Sequence, residues 1–254
     1  MSTIYGYAGK MLRVNLTTGE MTVLDTLQYK DYLGGMGIGY KVLYDEVPIG
    51  THAYDEAAKV VFAVGPMTGA GGPSSSRTNI TCLSPFTKGS LIVDGHMGGD
   101  FGMHLKYAGW DGVIIEGKAE KPVYLKLDDD KYSLEDASTS WGKGTIATCA
   151  VIGEECGKDF CTAAIGPAGE NLVPLSCVIN SRSHSAGGGT GAALGAKNFK
   201  AITVRGTKAV RVADPKKIME LNELFLGKII GSQMEAMVPL TPQPWSEFTS
   251  TDTT

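Results

Sequence analysis

Two short glycine runs carry the strongest chemical promise in this sequence. Met97-Gly98-Gly99-Asp100-Phe101-Gly102 and Ala186-Gly187-Gly188-Gly189-Thr190-Gly191 each stand just before a short stretch of helical composition. Glycine lets the backbone approach a ligand closely, and free N–H groups at a helix start make an anion site. One such loop is weak grounds; a matched pair can face one ligand from two sides. The same residues also serve where a helix and a strand merely pack closely. Upstream, Gly72-Pro73-Ser74-Ser75-Ser76-Arg77-Thr78-Asn79 sets small polar residues around one arginine. That suits bidentate contact between guanidinium and phosphate, and equally an ordinary surface loop. Asn180-Ser181-Arg182-Ser183-His184-Ser185 reads as its counterpart, and His96 and His184 each sit just before a glycine loop.

Other candidates are poorer. Gly35-Met36-Gly37-Ile38-Gly39 has the wrong spacing for a dinucleotide fingerprint and follows a segment that reads as helix, so it is expected to be a bend or a close helix-packing site. There is no GxxxxGK[ST], HExxH or paired CxxC. Cys156 and Cys161 lie near no further ligands, and an iron–sulfur cluster wants four thiolates. Cys82, Cys149, Cys156, Cys161 and Cys177 are therefore expected to be buried structural thiols, and no metal ligand is assigned to this chain.

The elements that must position the loops are revealed by an internal repeat. LRVNL at 12–16 with its following turn matches VYLKL at 123–127, 111 residues on and without a gap. AVGP at 63–66 matches AIGP at 164–167, and the block from Gly98 to Gly117 matches the block ending at Gly206. Each half reads strand, strand, helix, strand ending in Gly-Pro, strand, glycine loop, short helix, strand. The middle helices are expected over Tyr29–Asp45 and Gly142–Cys156. The expected fold is α+β, with two pseudo-twofold-related β-sheet halves and short helices. Residues 1–208 form this domain, with halves of roughly 1–118 and 119–208. Asp214-Pro215 then announces a helix whose Ile218, Leu221, Leu224 and Phe225 share one face. The helical region from 209 dissolves into a polar tail ending at 254, the mark of a domain cut short.

Composition narrows the classes. A chain of 254 residues that is 43% hydrophobic and 20% charged has a real core, and its 34 glycines are clustered. A net charge of −4 without a basic stripe argues against nucleic acid as a partner. No signal peptide and no membrane-spanning run are seen, and five cysteines without a disulfide framework fit a reducing, cytoplasmic setting.

Taken together the blocks GYAGKMLRVNLTTGE, YLGGMGIGYKVLYDEV, SSSRTNITCLSPFTKGSL, MGGDFGMHLKYAGWDGVIIEG and GTGAALGAKNFKAITVRGTK resemble the N-terminal part of the tungsten-dependent aldehyde ferredoxin oxidoreductase family, over about residues 5–245. The resemblance implies a base for a tungsten or molybdenum bis-pterin cofactor, with one pterin on each half and a Mg2+ ion bridging the pterin phosphates. It implies contacts at Arg77, Asn79, His96, Gly98 and Gly99 in the first half, and at His184, Ser185, Ala186, Gly187 and Gly188 in the second. His96 stands where the archetype has asparagine. The second loop aligns only with a one-residue gap and lacks the archetype's arginines. The implied chemistry is oxidation of a small aldehyde to a carboxylic acid, with electrons leaving through a [4Fe–4S] cluster to ferredoxin or a similar carrier. The cluster cysteines and catalytic residues belong to later C-terminal domains, so no catalytic residue is named here. A homodimer is a further expectation from the family. A stand-alone pterin-binding or docking module, or a non-functional gene remnant, are the alternatives.

Overall fold

Strand β1 (Lys10–Asn15) shows how the chain builds two cores from one alternating strand. Leu12 and Val14 face one core and Met11 the other, as a period of two requires. The computed structural model of the chain describes residues 4–72, 74–180 and 184–230. In the first half β1 is followed by β2 (Met21–Asp25), α1 (Met36–Glu46), β3 (Val60–Val64), β4 (Thr78–Leu83), β5 (Ile92–Met97), α2 (Phe101–Tyr107) and β6 (Gly112–Glu116). The second half has β7 (Val123–Asp128), β8 (Lys131–Asp136), α3 (Thr145–Cys156), β9 (Cys161–Ala164), α4 (Pro167–Glu170), β10 (Val178–Asn180), β11 (Ser185–Ala186), α5 (Thr190–Gly195) and β12 (Phe199–Arg205).

The sheet orders are β2-β1-β6-β3-β4-β5 and β8-β7-β12-β9-β10-β11, the same arrangement twice. Among the described residues only β1–β6 and β7–β12 run parallel; every other pairing there is antiparallel. The expected fold of two related β-sheet halves is thus borne out. The two sheets enclose one core that includes Phe62, Phe101, Trp110, Leu125, Phe199 and Ile202. The outer face of the first sheet buries Ile38, Val42 and Leu43 of α1, and that of the second buries Ile152 of α3. A strand covered on both faces is apolar throughout, hence Val60-Val61-Phe62-Ala63-Val64. The short helices reach across: α2 packs on β12 and β9, while α5 packs on β4 and β3 as well as on β12 of its own half.

Several details differ from the sequence reading. The hairpins are not gap-free copies: four residues (16–19) lie between the bonded partners Asn15 and Glu20, but only Asp129 and Asp130 lie between Asp128 and Lys131. Pairing makes Leu12 equivalent to Leu125 and Val23 to Leu134. A slip of two residues keeps every side chain on its own face, which is why the match survives it. Each half has an additional strand before its glycine loop (β5 and β11), concealed because Asp94, Gly95 and His96 break the apolar alternation. The first middle helix is split. A 3-10 turn over Thr26–Tyr32 ends at Leu33, where φ reaches 61°, and α1 begins only at Met36. The second middle helix begins at Thr145 rather than Gly142. Gly39 lies on Thr81 with no room for a Cβ, so the GMGIG run is a close-packing site. Cys82 and Cys161 are buried, but Cys149, Cys156 and Cys177 are only partly so.

The described residues form two compact units, 4–70 with 74–180 and 184–213, and 71–72 with 214–230. In the second, Asp214 Oδ1 accepts the Lys217 N–H at 2.9 Å and Pro215 opens α6 (Pro215–Ile230), the cap-and-proline start read from the sequence. Met219, Leu221, Leu224, Phe225 and Leu226 of α6 are exposed. The tail beyond Ile230 lies outside the described residues.

Lys197 ties the halves together. Its buried ammonium donates to Glu56 O at 3.2 Å and Gly117 O at 3.0 Å. Burial, and then the neighbouring Lys59, push its pKa down to about 8. The unfolded chain, with a lysine near ~10.4, binds more protons between these values, so this penalty is full below the folded pKa and is relieved as pH rises. Urea unfolding from pH 7 to 10 should therefore show wild type gaining stability relative to Lys197→Met, by about 1 kcal/mol per pH unit in the upper half of that range. A constant difference across the range would refute this account.

Candidate functional site

The first-half site is built on the β4–β5 hairpin, where Asn79 pairs with His96 and Thr81 with Asp94. Residues two apart on a strand share a face, and Asp94 and His96 use this: Asp94 Oδ2 lies 2.7 Å from His96 Nε2. Tyr40 of α1 donates to Asp94 Oδ1 at 3.0 Å, and Asn79 Nδ2 donates to Asp94 Oδ2 at 3.1 Å. Burial, with the hydrogen bond to Asp94 second, raises the Tyr40 phenol above its ordinary pKa. Thr81 donates to Asn79 Oδ1 at 2.6 Å, so both ends of the buried Asn79 amide are engaged within the protein. Asn79 thus holds Asp94, and Asp94 holds the imidazole of His96, which is half exposed.

His96 borders a cavity of about 250 Å³, with Gly35 and Met36 at the start of α1, Gly65 after β3, and Arg77 and Asn79. Arg77 is exposed, reaches His96 O only at 3.4 Å, and pairs with no carboxylate among the described residues. A guanidinium with its fork open to a glycine-lined hollow is suited to a phosphate or similar anion. Charge and donor set therefore fit the anionic end of a pterin cofactor. A larger hollow of about 740 Å³, beside α3 and lined by Asp100, His104, Cys149, Cys161 and Asn180 among others, contains none of the residues expected to contact the cofactor.

The two glycine loops meet. A Cβ on Gly95 would lie 2.7 Å from Gly187 O and 2.8 Å from Gly187 N, and one on Gly98 would lie 2.9 Å from His184 Nδ1. Asn180 Nδ2 adds a hydrogen bond of 2.6 Å to Gly98 O. Pairing of β4 with β5 and of β10 with β11 makes Met97 equivalent to Ala186, and so Gly98 to Gly187 and Gly95 to His184. The two contacts are therefore one contact and its twofold copy. Gly99 and Gly188 share φ values of 77° and 76°, a left-handed conformation that favours glycine in both loops.

Within the chain the two glycine loops thus correspond without a gap. The same pairings correct the matching of the arginine loops. The residues equivalent to Arg77, Asn79 and His96 are Cys177, Ile179 and Ser185. Asn180 closes β10 and Ser185 opens β11, the equivalents of β4 and β5, so this segment is not the counterpart of residues 72–79. Arg182, with Ser181 and Ser183, lies outside the described residues. Of the second-half candidates, His184, Ser185 and Gly187 are exposed, Gly188 is half-buried and Ala186 is buried. The sequence reading missed Asp94 and Tyr40. Asp94 was discoverable from its i, i+2 relation to His96; Tyr40 reaches the site only through the docking of α1.

Paired six-stranded sheets of one topology, whose glycine loops meet, define a duplicated base with the open guanidinium of Arg77 on the first half. Residues 11–206 match the family model "Aldehyde ferredoxin oxidoreductase, N-terminal domain", and the chain belongs to this family of oxidoreductases. It is 44% identical over 223 residues to the tungsten-containing aldehyde ferredoxin oxidoreductase of Pyrococcus abyssi, a match covering 86% of this chain and 36% of that protein. The corresponding Pyrococcus furiosus protein is 41% identical over 220 residues, covering 85% and 36%. Among solved structures it resembles the active site complex BamBC of benzoyl coenzyme A reductase, bound to 1,5-dienoyl-CoA. There the TM-score is 0.86 at 35% identity, covering 94% of this chain and 36% of that one. The chain thus spans about a third of the length of these relatives.

Proposed function

We propose that this chain is the cofactor-binding N-terminal portion of an oxidoreductase that converts aldehydes to carboxylic acids. The observation that carries the reading is the open guanidinium of Arg77 beside the point where the two glycine loops meet. Arg77, His96, Gly98 and Gly99 would hold one pterin, with Asn79 positioning His96 through Asp94. His184, Ser185, Gly187 and Gly188 would hold the other, with Ala186 anchoring their strand. The arginine supplies charge and a bidentate fork; the glycines supply backbone N–H groups at close approach. A Mg2+ ion would accompany the pterin phosphates on this face and offset their charge. When bound, the tungsten or molybdenum centre supplies the two-electron redox step, in which aldehyde and water give acid, two protons and two electrons. Electrons would leave through a [4Fe–4S] cluster to ferredoxin, both cluster and acid–base residues being contributed by polypeptide beyond this chain. Among the described residues no helix is long and apolar enough to cross a membrane.

The test is cofactor content after anaerobic expression with tungstate and molybdate, read as metal by mass spectrometry and pterin by fluorescence. With one wall of the site supplied by polypeptide beyond this chain, occupancy well below one cofactor per chain is expected. Arg77→Ala should lower that occupancy about tenfold or more, the effect of one lost charge-assisted pair. Equal metal and pterin in the two proteins would remove Arg77 from the cofactor site.

A further inference from the structure

Four cations that the sequence scatters at Lys10, Lys106, Lys208 and Arg211 are gathered at one hollow by the fold. The chain leaving β12 runs back along α2, with the Lys208 N–H donating to Tyr107 O at 2.9 Å. It then pairs with the N-terminal segment, the Gly6 N–H donating to Arg211 O at 2.8 Å. Between these strips lies a cavity of about 440 Å³, within the usual range for small-molecule sites. Tyr7, Leu27 and the four cations line it, no carboxylate among the described residues does, and it shares none of these lining residues with the cavity beside Arg77.

The charges do not cancel. Lys106, fully buried, is held by Asp111 and by Gly6 O at 3.0 Å. Lys10 and Lys208 share the single carboxylate of Asp130, on the β7–β8 turn, and their hydrogen bonds hold its pKa down to about 2. Arg211 is exposed and pairs with no carboxylate among the described residues. Four cations thus meet two carboxylates, leaving two positive charges at the hollow. A bidentate arginine beside two lysines is the donor set for a phosphate group, and Tyr7 and Leu27 give walls for a small organic body.

We infer that this hollow is a second, separate anion site that binds a small phosphorylated molecule, independently of the pterin cradle. The test is calorimetric titration with inorganic pyrophosphate at low salt, in the Arg77→Ala background so that the pterin-facing loop does not report. One saturable site is expected. Arg211→Ala should weaken it about tenfold. Asp130→Asn should tighten it severalfold, because it removes the carboxylate that competes for Lys10 and Lys208. Both residues are exposed, so neither change should disturb folding. An absence of saturation at millimolar pyrophosphate would overturn the site, as would binding that neither substitution moves. Since Arg77 is already removed, failure here leaves the cofactor reading standing, and failure of that reading leaves this site untouched.

Discussion

Gly95→Ala should cost at least about 3 kcal/mol of stability, more than most single substitutions in the strands. Three backbone atoms of the opposite loop stand where the new methyl would go: Gly187 O at 2.7 Å, Gly187 N at 2.8 Å and the Ala186 carbonyl carbon at 2.9 Å. A flexible side chain could swing aside, but these atoms belong to β11 and to the loop that feeds α5. Displacing them moves Gly188, which itself lies against Val93 and Asp94 of β5. The loss should appear as a lower urea midpoint with an unchanged slope, since the surface exposed on unfolding is the same. Gly187→Ala is the internal comparison, because a Cβ there meets nothing within 4 Å and should cost much less. If the two variants unfolded alike, the close approach of the loops would not be what joins the halves.

Asp111→Asn should be comparably damaging, by about 3–5 kcal/mol, for an electrostatic reason. Asp111 is fully buried and accepts three donors: Ala8 N–H at 3.0 Å, Gly9 N–H at 2.8 Å and the Lys106 ammonium. Asparagine would turn an NH2 group toward an existing donor and leave Lys106 charged in the core with neutral acceptors only. Burial already lowers the Lys106 pKa, against the opposing pull of Asp111. Removing the carboxylate lowers it further. The cost is then full below the folded pKa and eases as pH climbs toward the unfolded value of ~10.4, so the variant should recover part of its deficit in alkaline buffer. Adding Lys106→Met removes the orphaned charge, and the double variant should be more stable than Asp111→Asn alone. A double variant no better than the single would show that the backbone hydrogen bonds, not the ion pair, set the value of Asp111.

How much of this was written in the chain depends on the range of the interactions involved. Strand alternation, the apolar run at Val60–Val64, the repeated blocks and the Asp214-Pro215 helix start are local patterns of period 2 or 3.6, and they were legible directly. So was the pairing of two glycine loops on a duplicated frame. Tertiary structure alone decided the two-residue difference between the hairpins, because an even slip leaves the in–out pattern unchanged. It alone decided that Asn180 to Ser185 is not the counterpart of the Arg77 loop, and that Cys177, Ile179 and Ser185 are the equivalents of Arg77, Asn79 and His96. The contacts of Gly95 with Gly187 and of Gly98 with His184 join glycines to distant loops, and a residue without a side chain leaves no pattern of its partner. The basic hollow was equally hidden, since Lys10 and Arg211 stand at opposite ends of the folded domain's sequence and only the hydrogen-bonded strips bring them together.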